Sequence, residues 1–514
     1  MGAENSIKKR EYKKPHKKET LHNEIAKRKE KEIPYQNPNF VDIVSFASPA
    51  ISSDISLCLK QYNPLLIEED TPVESILQII IQGLTEPISN ARLIYCFALK
   101  LRKLVVNNPD SPKIFEIANK LGLLKKVVSL LSSGNIDILL EATWILTNYA
   151  SIQGSAKYLI EMGTLSSLLQ LFQMDNERIS ESVLQVLVNI ASDGDEFRDI
   201  LIFKTPLITI LVSILSQKKL MTGYLRAGCW VINILTCSAS NSSYDILKVF
   251  IPLLNNIIFI TDKSCLVDSL CTIANLTSCA PEKISDIIHA MEVKRIVKFL
   301  SSEEIALQTP ALRIFGNMAV GSEDDARKII DVGVLTEIYK ILMNTTTSPG
   351  IFTECLWIIS NLACGPPNHI QELINERILN KLSAVTTNFE DAVIKKEALW
   401  GIVNSTSQAN KYQIMRMVDM GYIQAITTNL NALKQSHSLL CAMLDAMQKI
   451  LETGKELGEP YFEVIIHTFD LLRASSVIKS LQLIHNKEVY RRINVILKYL
   501  VNEEVTTIGL LKKR

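Results

Sequence analysis

The chain contains 514 residues, of which 47% are hydrophobic and 21% charged, and its formal net charge is +1. This even balance excludes binding to nucleic acid or membranes through global charge, so local charge must be considered instead. The 10 cysteines include no C-x-x-C pair, which argues against a zinc or redox motif and fits a reducing compartment. No apolar run reaches the ~20 residues of a membrane span, and the charged N-terminus lacks the apolar core of a secretory signal.

Residues 1 to 32 form a basic segment. Its principal cations are Lys8, Lys9, Arg10, Lys13, Lys14, Lys17, Lys18, Lys27, Arg28 and Lys29. Acids interleave with the second half, and the apolar residues are too few to bury a face of their own. We therefore expect this segment to be disordered alone and helical, from about Glu19 to Lys31, only on a partner. A solubilising basic tail is the common alternative.

Residues 33 to 71 have the composition of a linker, because Pro34, Pro38, Pro49 and Pro64 interrupt helices there. From residue 72 to residue 502, apolar residues recur at helical spacing, as in PVESILQIIIQGL. Alternating strand patterns joined by N-G or D-G turns are missing, so the sequence predicts an all-α protein. Residues 503 to 514 form a short C-terminal tail.

One phrase organises the helical region. EATWILTNYAS, from Glu141 to Ser151, places Trp144 and Asn148 four residues apart, on one face of a helix. The phrase returns, intact or in part, with Asn189, Trp230 and Asn233, Asn275, Asn317, Trp357 and Asn361, and Trp400 and Asn404. Successive asparagines are 41 to 44 residues apart, and all 4 Trp residues lie in this phrase. A fixed period of this size predicts a stacked repeat array.

Each later repeat has the pattern of three helices. A short first helix ends near Gly163, Gly333 or Gly421, and glycine permits the sharp turn at a helix end. A second apolar helix follows, and the third helix carries the Trp/Asn phrase. Thr309-Pro310 has the pattern of a third-helix start. Three helices with this period predict armadillo repeats whose third helices line a concave groove, with the Trp outside the core; two-helix HEAT units are the nearest alternative.

The chemistry of the phrase suits an extended basic peptide. An Asn carboxamide can both accept from and donate to a peptide backbone, and an indole face attracts Lys or Arg by about 0.5 to 2 kcal/mol. Asp193, Glu354 and Glu397 lie close to the phrase in sequence and are placed to meet the cationic tips. A single Trp-x-x-x-Asn is more often core packing, but the repeated copies favour a binding ladder.

The sequence resembles the importin alpha family. The resemblance rests on NIASDGDEFRDILI, QTPALRIFGNMAVG, WIISN, EALW and SLQLIHNKEVYRRINVILKYL, and it covers nearly the whole chain. It implies a right-handed superhelical solenoid of about ten armadillo repeats over residues 72 to 502. It also implies a nuclear import adaptor that shuttles between cytoplasm and nucleus without a cofactor or metal.

The resemblance implies two peptide sites. The major site would use Trp144, Asn148, Gln185, Asn189, Asp193, Trp230 and Asn233. The minor site would use Arg313, Asn317, Glu354, Trp357, Asn361, Glu397, Trp400 and Asn404. Two departures affect the major site: Gln185 replaces a family Trp, and Asn233 is shifted so that Ile234 occupies the family's Asn position. We therefore expect this chain to depend on the minor site more than the family pattern does.

The resemblance also implies macromolecular partners. Residues 1 to 32 would bind importin beta, and the C-terminal repeats would meet a nuclear export receptor with Ran. In the basic segment Lys replaces most of the family's Arg, and Arg is the better bidentate partner for carboxylates. The stretch from Ile33 to Pro38 lacks the basic cluster that would mimic cargo, so we expect weak autoinhibition.

Three alternatives compete with this interpretation. A catenin-like armadillo scaffold without a transport role would present a basic groove for acidic ligands. An enzyme is disfavoured, because none of the 7 His residues falls in a nucleophile or metal constellation and no phosphate-binding glycine loop is present. Direct nucleic-acid binding through residues 1 to 32 is weakened by the interleaved acids.

Overall fold

The structure is a computed structural model that describes residues 72–85, 91–106, 111–217, 220, 222–237, 239–433, 436–484 and 486–500. The predicted basic segment, linker and C-terminal tail lie outside these residues. The chain divides into two compact units. The N-terminal unit contains the described residues up to Leu253 together with Asp262–Asn275. The C-terminal unit contains Leu254–Thr261 and the described residues from Leu276 onward.

The helices follow one another in a regular order. The first are α1 (Val73–Leu84), α2 (Ala91–Val106), α3 (Ser111–Lys120), α4 (Leu123–Ser129), α5 (Ile136–Ala150), α6 (Ser155–Glu161), α7 (Thr164–Phe172), α8 (Glu177–Asp193), α9 (Asp195–Phe203), α10 (Leu207–Leu215) and α11 (Thr222–Thr236). They are followed by α12 (Asn241–Leu247), α13 (Ile251–Ile257) and α14 (Lys263–Cys279).

The remaining helices continue the series to residue 500. They are α15 (Ile284–His289), α16 (Val293–Val297), α17 (Ile305–Val320), α18 (Glu323–Asp331), α19 (Val334–Met343), α20 (Pro349–Leu362), α21 (Pro367–Asn375), α22 (Ile378–Asn388), α23 (Ala392–Gln408), α24 (Lys411–Asp419), α25 (Tyr422–Asn429), α26 (His437–Leu457), α27 (Tyr461–Leu471), α28 (Ala474–Ser480) and α29 (Lys487–Leu500). Throughout the described ranges the regular elements are helices, so the predicted all-α class is confirmed.

The turns between first and second helices form as predicted. Gly163, Gly333 and Gly421 have φ of 75°, 85° and 84°, a left-handed conformation that a residue with a Cβ adopts only at a cost. Each glycine ends one short helix and precedes the next. The turn therefore brings the first and second helices of a repeat together, as a helix-ending glycine allows.

The third helices are the longest and are capped by their own sequence. Asn135 begins α5 by accepting from the backbone N–H groups of Asp137 and Ile138, and Asn176 begins α8 in a similar way. A side-chain cap of this kind contributes about 1 kcal/mol. Ser348 and Asp391 have the same role at α20 and α23.

Third helices of successive repeats pack against one another. In the N-terminal unit α5 lies beside α8 and α8 beside α11, and in the C-terminal unit α17 lies beside α20 and α20 beside α23. Apolar side chains of these helices are fully buried, as at Leu184, Leu187 and Ile190 of α8. Full burial of such a side chain contributes about 1.5–3 kcal/mol. The polar positions of the Trp/Asn phrase are thereby carried on adjacent helices.

One predicted helix start is wrong. Thr309-Pro310 was expected to begin a third helix, but α17 begins at Ile305 and contains Pro310 in its interior. Proline at that depth removes one backbone N–H from the helix. Leu307 and Pro310 are both buried, and their packing favours the additional turn. Among the described helices, none is long and apolar enough to cross a membrane.

Candidate functional site

The structure carries the two predicted residue sets on two groups of third helices. The major set lies on α5, α8 and α11 of the N-terminal unit, and the minor set on α17, α20 and α23 of the C-terminal unit. Within each set the helices are neighbours. The residues that the sequence groups together are therefore on adjacent helices in the folded chain.

The asparagines join one third helix to the next. Asn189 of α8 is buried, and its Nδ2 donates to the backbone carbonyl of Thr147 on α5 at 2.8 Å. Asn404 of α23 is buried too, and its Nδ2 donates to the backbone carbonyl of Ser360 on α20 at 2.9 Å. Thr147 and Ser360 each immediately precede the asparagine of their own phrase. The two bonds are thus the same contact in different repeats.

Two further asparagines make related bonds. Asn317 donates to Thr277 Oγ1 at 2.9 Å, also toward the preceding repeat. Asn148 instead donates to the carbonyl of Trp144 within its own helix, at 2.9 Å. The sequence interpretation gave these carboxamides a role toward a ligand alone. In the structure one N–H of Asn189, Asn317 and Asn404 already stabilises the repeat stack. That of Asn148 is bonded within its own helix, and in each case a ligand would share the carboxamide.

The expectation that the tryptophans lie outside the core is wrong for three of them. Trp230, Trp357 and Trp400 are 8%, 7% and 8% exposed, so most of each indole is covered. Trp144 is half-buried. Since a Trp side chain is large, even a small exposed fraction leaves part of the indole accessible.

Trp357 packs on a residue that sequence reasoning overlooked. Gly316 lies in the interior of α17, and a Cβ added there would come within 2.7 Å of Trp357 Cη2 and closer still to Cζ3 and Cε3. The indole of Trp357 therefore lies against the bare backbone of α17. The signal in the sequence was a glycine inside a helical phrase, directly before Asn317.

A second overlooked residue, Arg102, contacts Trp144. The guanidinium carbon of Arg102 lies 5.4 Å from the ring centroid of Trp144, within the range of a cation–π interaction. Arg102 Nε also lies 2.7 Å from Glu141 Oε2. One cation of the chain therefore occupies a position on the first indole of the major set.

The acids of the minor set differ in their surroundings. Glu354 Oε1 lies 3.0 Å from Nε of Arg313. Burial raises the pKa of the Glu354 carboxyl above its ordinary value, and the charge and hydrogen bond of Arg313 partly oppose that rise. Glu397 is half-buried on α23. The two predicted minor-site acids are therefore only partly open to a ligand.

Asp193 of the major set has a structural contact of its own. Its Oδ1 accepts from the backbone N–H of Gly154 at 2.7 Å, and its Oδ2 accepts from that of Ala156 at 3.0 Å. These N–H groups belong to the start of α6, where a carboxylate is favoured by the unsatisfied donors and the helix dipole. A cationic ligand at Asp193 would have to approach a carboxylate already held by two donors.

The departures in the major set change its contacts. Ile234 is buried, while the shifted Asn233 donates to Asp268 Oδ1 on α14 at 2.9 Å. This bond runs toward the following repeat, whereas that of Asn189 runs toward the preceding one. Asn275 donates to Asn233 Oδ1 at 3.3 Å, and Gln185 is half-buried on α8. The shift by one residue has therefore turned Asn233 toward α14.

No group of three His, Cys, Asp or Glu residues that could hold a metal ion occurs in the described part of the chain.

No protein-family model matches the chain. Importin subunit alpha-2 of Caenorhabditis elegans is 30% identical over 273 residues, which cover 52% of this chain and 50% of that protein. Importin subunit alpha-1a of Oryza sativa subsp. japonica is 28% identical over 274 residues, which cover 53% and 51%. The chain spans about half the length of these two curated relatives.

A third relative matches over a longer region. Importin subunit alpha-8 of Arabidopsis thaliana is 24% identical over 378 residues, which cover 72% of this chain and 82% of that protein. Among solved structures, the crystal structure of an engineered protein matches with a TM-score of 0.71 at 21% identity, covering 83% of this chain and 98% of that chain. That likeness shows the fold alone. The armadillo-repeat class and the resemblance to importin alpha subunits are confirmed.

Proposed function

We propose that the chain is a nuclear import adaptor that binds extended Lys/Arg-rich nuclear-localisation peptides along its third helices. The observation that carries the proposal is the recurrence of the Trp/Asn phrase on neighbouring third helices within each unit, in a chain similar to importin alpha subunits. Such an arrangement repeats the same polar and aromatic groups at regular intervals. A peptide in extended conformation presents its own groups at regular intervals and can follow them.

The peptide backbone is held by the asparagine carboxamides. One N–H of Asn189 and of Asn404 is committed to the neighbouring helix, which fixes the orientation of the amide. Because Asn can accept through its carbonyl, the backbone N–H of the ligand donates to it. The orientation is set before the ligand arrives, which reduces the entropy cost of binding.

The basic side chains are held by indoles and acids. An unbranched Lys stem packs along the accessible part of Trp357 or Trp400, and its ammonium group meets Glu397 or Glu354. The desolvated contact with one indole contributes up to about 2 kcal/mol, or roughly 30-fold in Kd. Peptides that are rich in acids or lack cations gain neither the indole contact nor the ion pair with Glu354 or Glu397.

The minor set contributes more than the major set in this proposal. Asn233 is diverted to Asp268, Ile234 is buried, and Gln185 offers no indole. The minor set has both Trp357 and Trp400, with Asn361 and Asn404 four residues after them. A peptide with two basic clusters compensates for a weaker major set through effective concentration.

Calorimetry with peptides carrying one or two basic clusters tests this assignment. Trp400→Ala should weaken binding of the single-cluster peptide by about 30-fold, and Trp144→Ala should weaken it less. Equal losses, or a larger loss for Trp144→Ala, would contradict the dominance of the minor set. No binding of either peptide by the unmodified chain, with binding of an acidic peptide instead, would favour the catenin-like scaffold.

The proposal extends to the transport cycle. The basic segment, residues 1 to 32, binds importin beta, a nuclear export receptor with Ran meets the C-terminal repeats, and the adaptor shuttles between cytoplasm and nucleus. A truncation that starts near Thr71 should lose importin beta in a pull-down and bind basic peptides about as tightly as the full chain. A large gain in peptide affinity on truncation would contradict the weak autoinhibition that we expect.

A further inference from the structure

Gly316 and Trp357 are in unusually close contact across two neighbouring third helices. Gly316 lies in the interior of α17 and is buried, and its backbone is helical rather than left-handed. An added Cβ would lie 2.7 Å from Trp357 Cη2 and closer to Cζ3 and Cε3. The helical backbone at Gly316 therefore does not itself require glycine, and the atoms nearest to an added side chain all belong to the Trp357 indole.

A glycine in a helix interior is unfavourable unless something else requires it. Other interior glycines of third helices have a different neighbour. A Cβ added at Gly228 would meet Leu215 of α10, and one at Gly401 would meet Leu382 of α22, in both cases the flexible end of a core leucine. Those glycines let a second helix pack closely. Among the described glycines, Gly316 is the one whose added Cβ would meet a Trp.

A second contact fixes the same pair of helices. Arg313, three residues before Gly316, pairs with Glu354, three residues before Trp357, at 3.0 Å. The ion pair and the indole contact are thus one helical turn apart along both helices. Together they set how α17 and α20 face each other at the start of the minor set.

We infer that Gly316 is the positioning residue of Trp357: its bare backbone forms a seat that fixes how far the indole projects toward the peptide. This inference rests on the proposed function, in which the accessible part of Trp357 packs against a Lys stem. A methyl group at residue 316 would push the indole outward or sideways and change the width of the space for that stem.

Binding of a fluorescently labelled Lys/Arg-rich peptide tests the seat in the full chain. Gly316→Ala should weaken binding by about 10-fold, as expected for partial loss of one indole contact. The matched control is Gly350→Ala at the start of α20, where an added Cβ meets nothing within 4 Å. This control should leave the affinity unchanged. Equal affinity of Gly316→Ala and the unmodified chain would overturn the inference.

A double-variant cycle separates positioning from general structural damage. In a Trp357→Ala background the obstacle to a Cβ is gone, so adding Gly316→Ala should cost no further affinity. It should also raise the unfolding temperature, because Ala is the better helix former, whereas Gly316→Ala alone should lower it. If Gly316→Ala alone does not fold, recovery of folding in the double variant supports the seat, and failure of both overturns it.

Trp357 fluorescence tests the seat without any peptide. In a chain with Trp144, Trp230 and Trp400 replaced by Phe, Gly316→Ala should increase acrylamide quenching of Trp357 at least 2-fold, and Gly350→Ala should not. Unchanged quenching would overturn the inference even if peptide binding is intact. Changed quenching, together with no binding of basic peptides by the unmodified chain, would support the seat and reject the proposed function.

Discussion

The guanidinium carbon of Arg102 lies 5.4 Å from the centroid of the Trp144 ring. The same side chain places Nε 2.7 Å from Oε2 of Glu141, whose side chain is only 7% exposed. Arg102 therefore stabilises a buried carboxylate and covers part of an indole. A cation of the chain itself therefore lies on the first indole of the major set.

Replacing Arg102 by Met should destabilise the chain by about 3 kcal/mol, because it removes the positive charge of Arg102 from beside the buried Glu141 carboxylate. The measurement is the urea midpoint of unfolding. Arg102→Met combined with Glu141→Gln is the matched control, since it removes both charges and should recover most of the loss. A loss of the same size in the double variant would show that the ion pair is not the source of the stabilisation.

The bond between Asn404 and Ser360 predicts a stability effect in the C-terminal unit. Asn404→Ala leaves the buried carbonyl of Ser360 with only the weak Sγ donor of Cys364 at 3.5 Å, which should cost about 1–3 kcal/mol. Asn375→Ala, on an exposed side chain of α21, should cost less than about 0.5 kcal/mol. Thermal unfolding of the two variants makes the comparison. Equal shifts in both would mean that Asn404 does not stabilise the stack.

The sequence was sufficient for the repeat and its turns. The 41- to 44-residue spacing of the asparagines located the third helix of each repeat from α5 to α23, because this period can be read from the sequence alone. Gly163, Gly333 and Gly421 form turns as expected. Pro310 was misread as a helix start because helix-start preferences are local, whereas the extra turn depends on packing of Leu307.

The contacts of the candidate site could not be predicted in the same way. Asp193 holds α6 and Arg102 reaches Trp144 across repeats, and both contacts join residues about 40 positions apart. The periodicity of one phrase says which residues share a face, but it does not say which partner each side chain meets there. The packing of Trp357 on Gly316 likewise joins residues of different repeats.

The two contacts of Asp193 allow its structural and binding roles to be separated. Asp193→Ala removes the acceptors of Gly154 and Ala156 and should destabilise the chain by about 1 kcal/mol. Asp193→Asn keeps one oxygen acceptor and should lose about half as much. If the carboxylate also meets a peptide cation, both variants should weaken peptide binding equally. If Asp193→Asn weakens peptide binding less than Asp193→Ala does, the role of Asp193 is limited to holding the start of α6.

Glu354 predicts a pH dependence whose sign follows from its surroundings. Burial raises the pKa of Glu354 above the ordinary 4.5, with Arg313 opposing part of the rise. Between these two pKa values the folded chain binds more protons than the unfolded chain, so the free energy of unfolding decreases as pH rises. The contribution of Glu354 is fully present below its ordinary pKa and is lost as pH rises through its raised pKa in the folded chain.

Glu354→Gln removes this titration and keeps an oxygen that accepts from Arg313. The unfolding temperature of Glu354→Gln minus that of the unmodified chain should therefore increase as the pH is raised from 4 to 8. Glu116→Gln is the opposite control, because the hydrogen bond and charge of Lys120 lower the pKa of Glu116, so that variant should lose relative stability as pH rises. Glu354→Gln should at the same time weaken basic-peptide binding, since the ligand loses one carboxylate. If the difference in unfolding temperature between Glu354→Gln and the unmodified chain does not change with pH, burial does not raise the pKa of Glu354. If the affinity for the basic peptide is unchanged, Glu354 does not belong to the minor set.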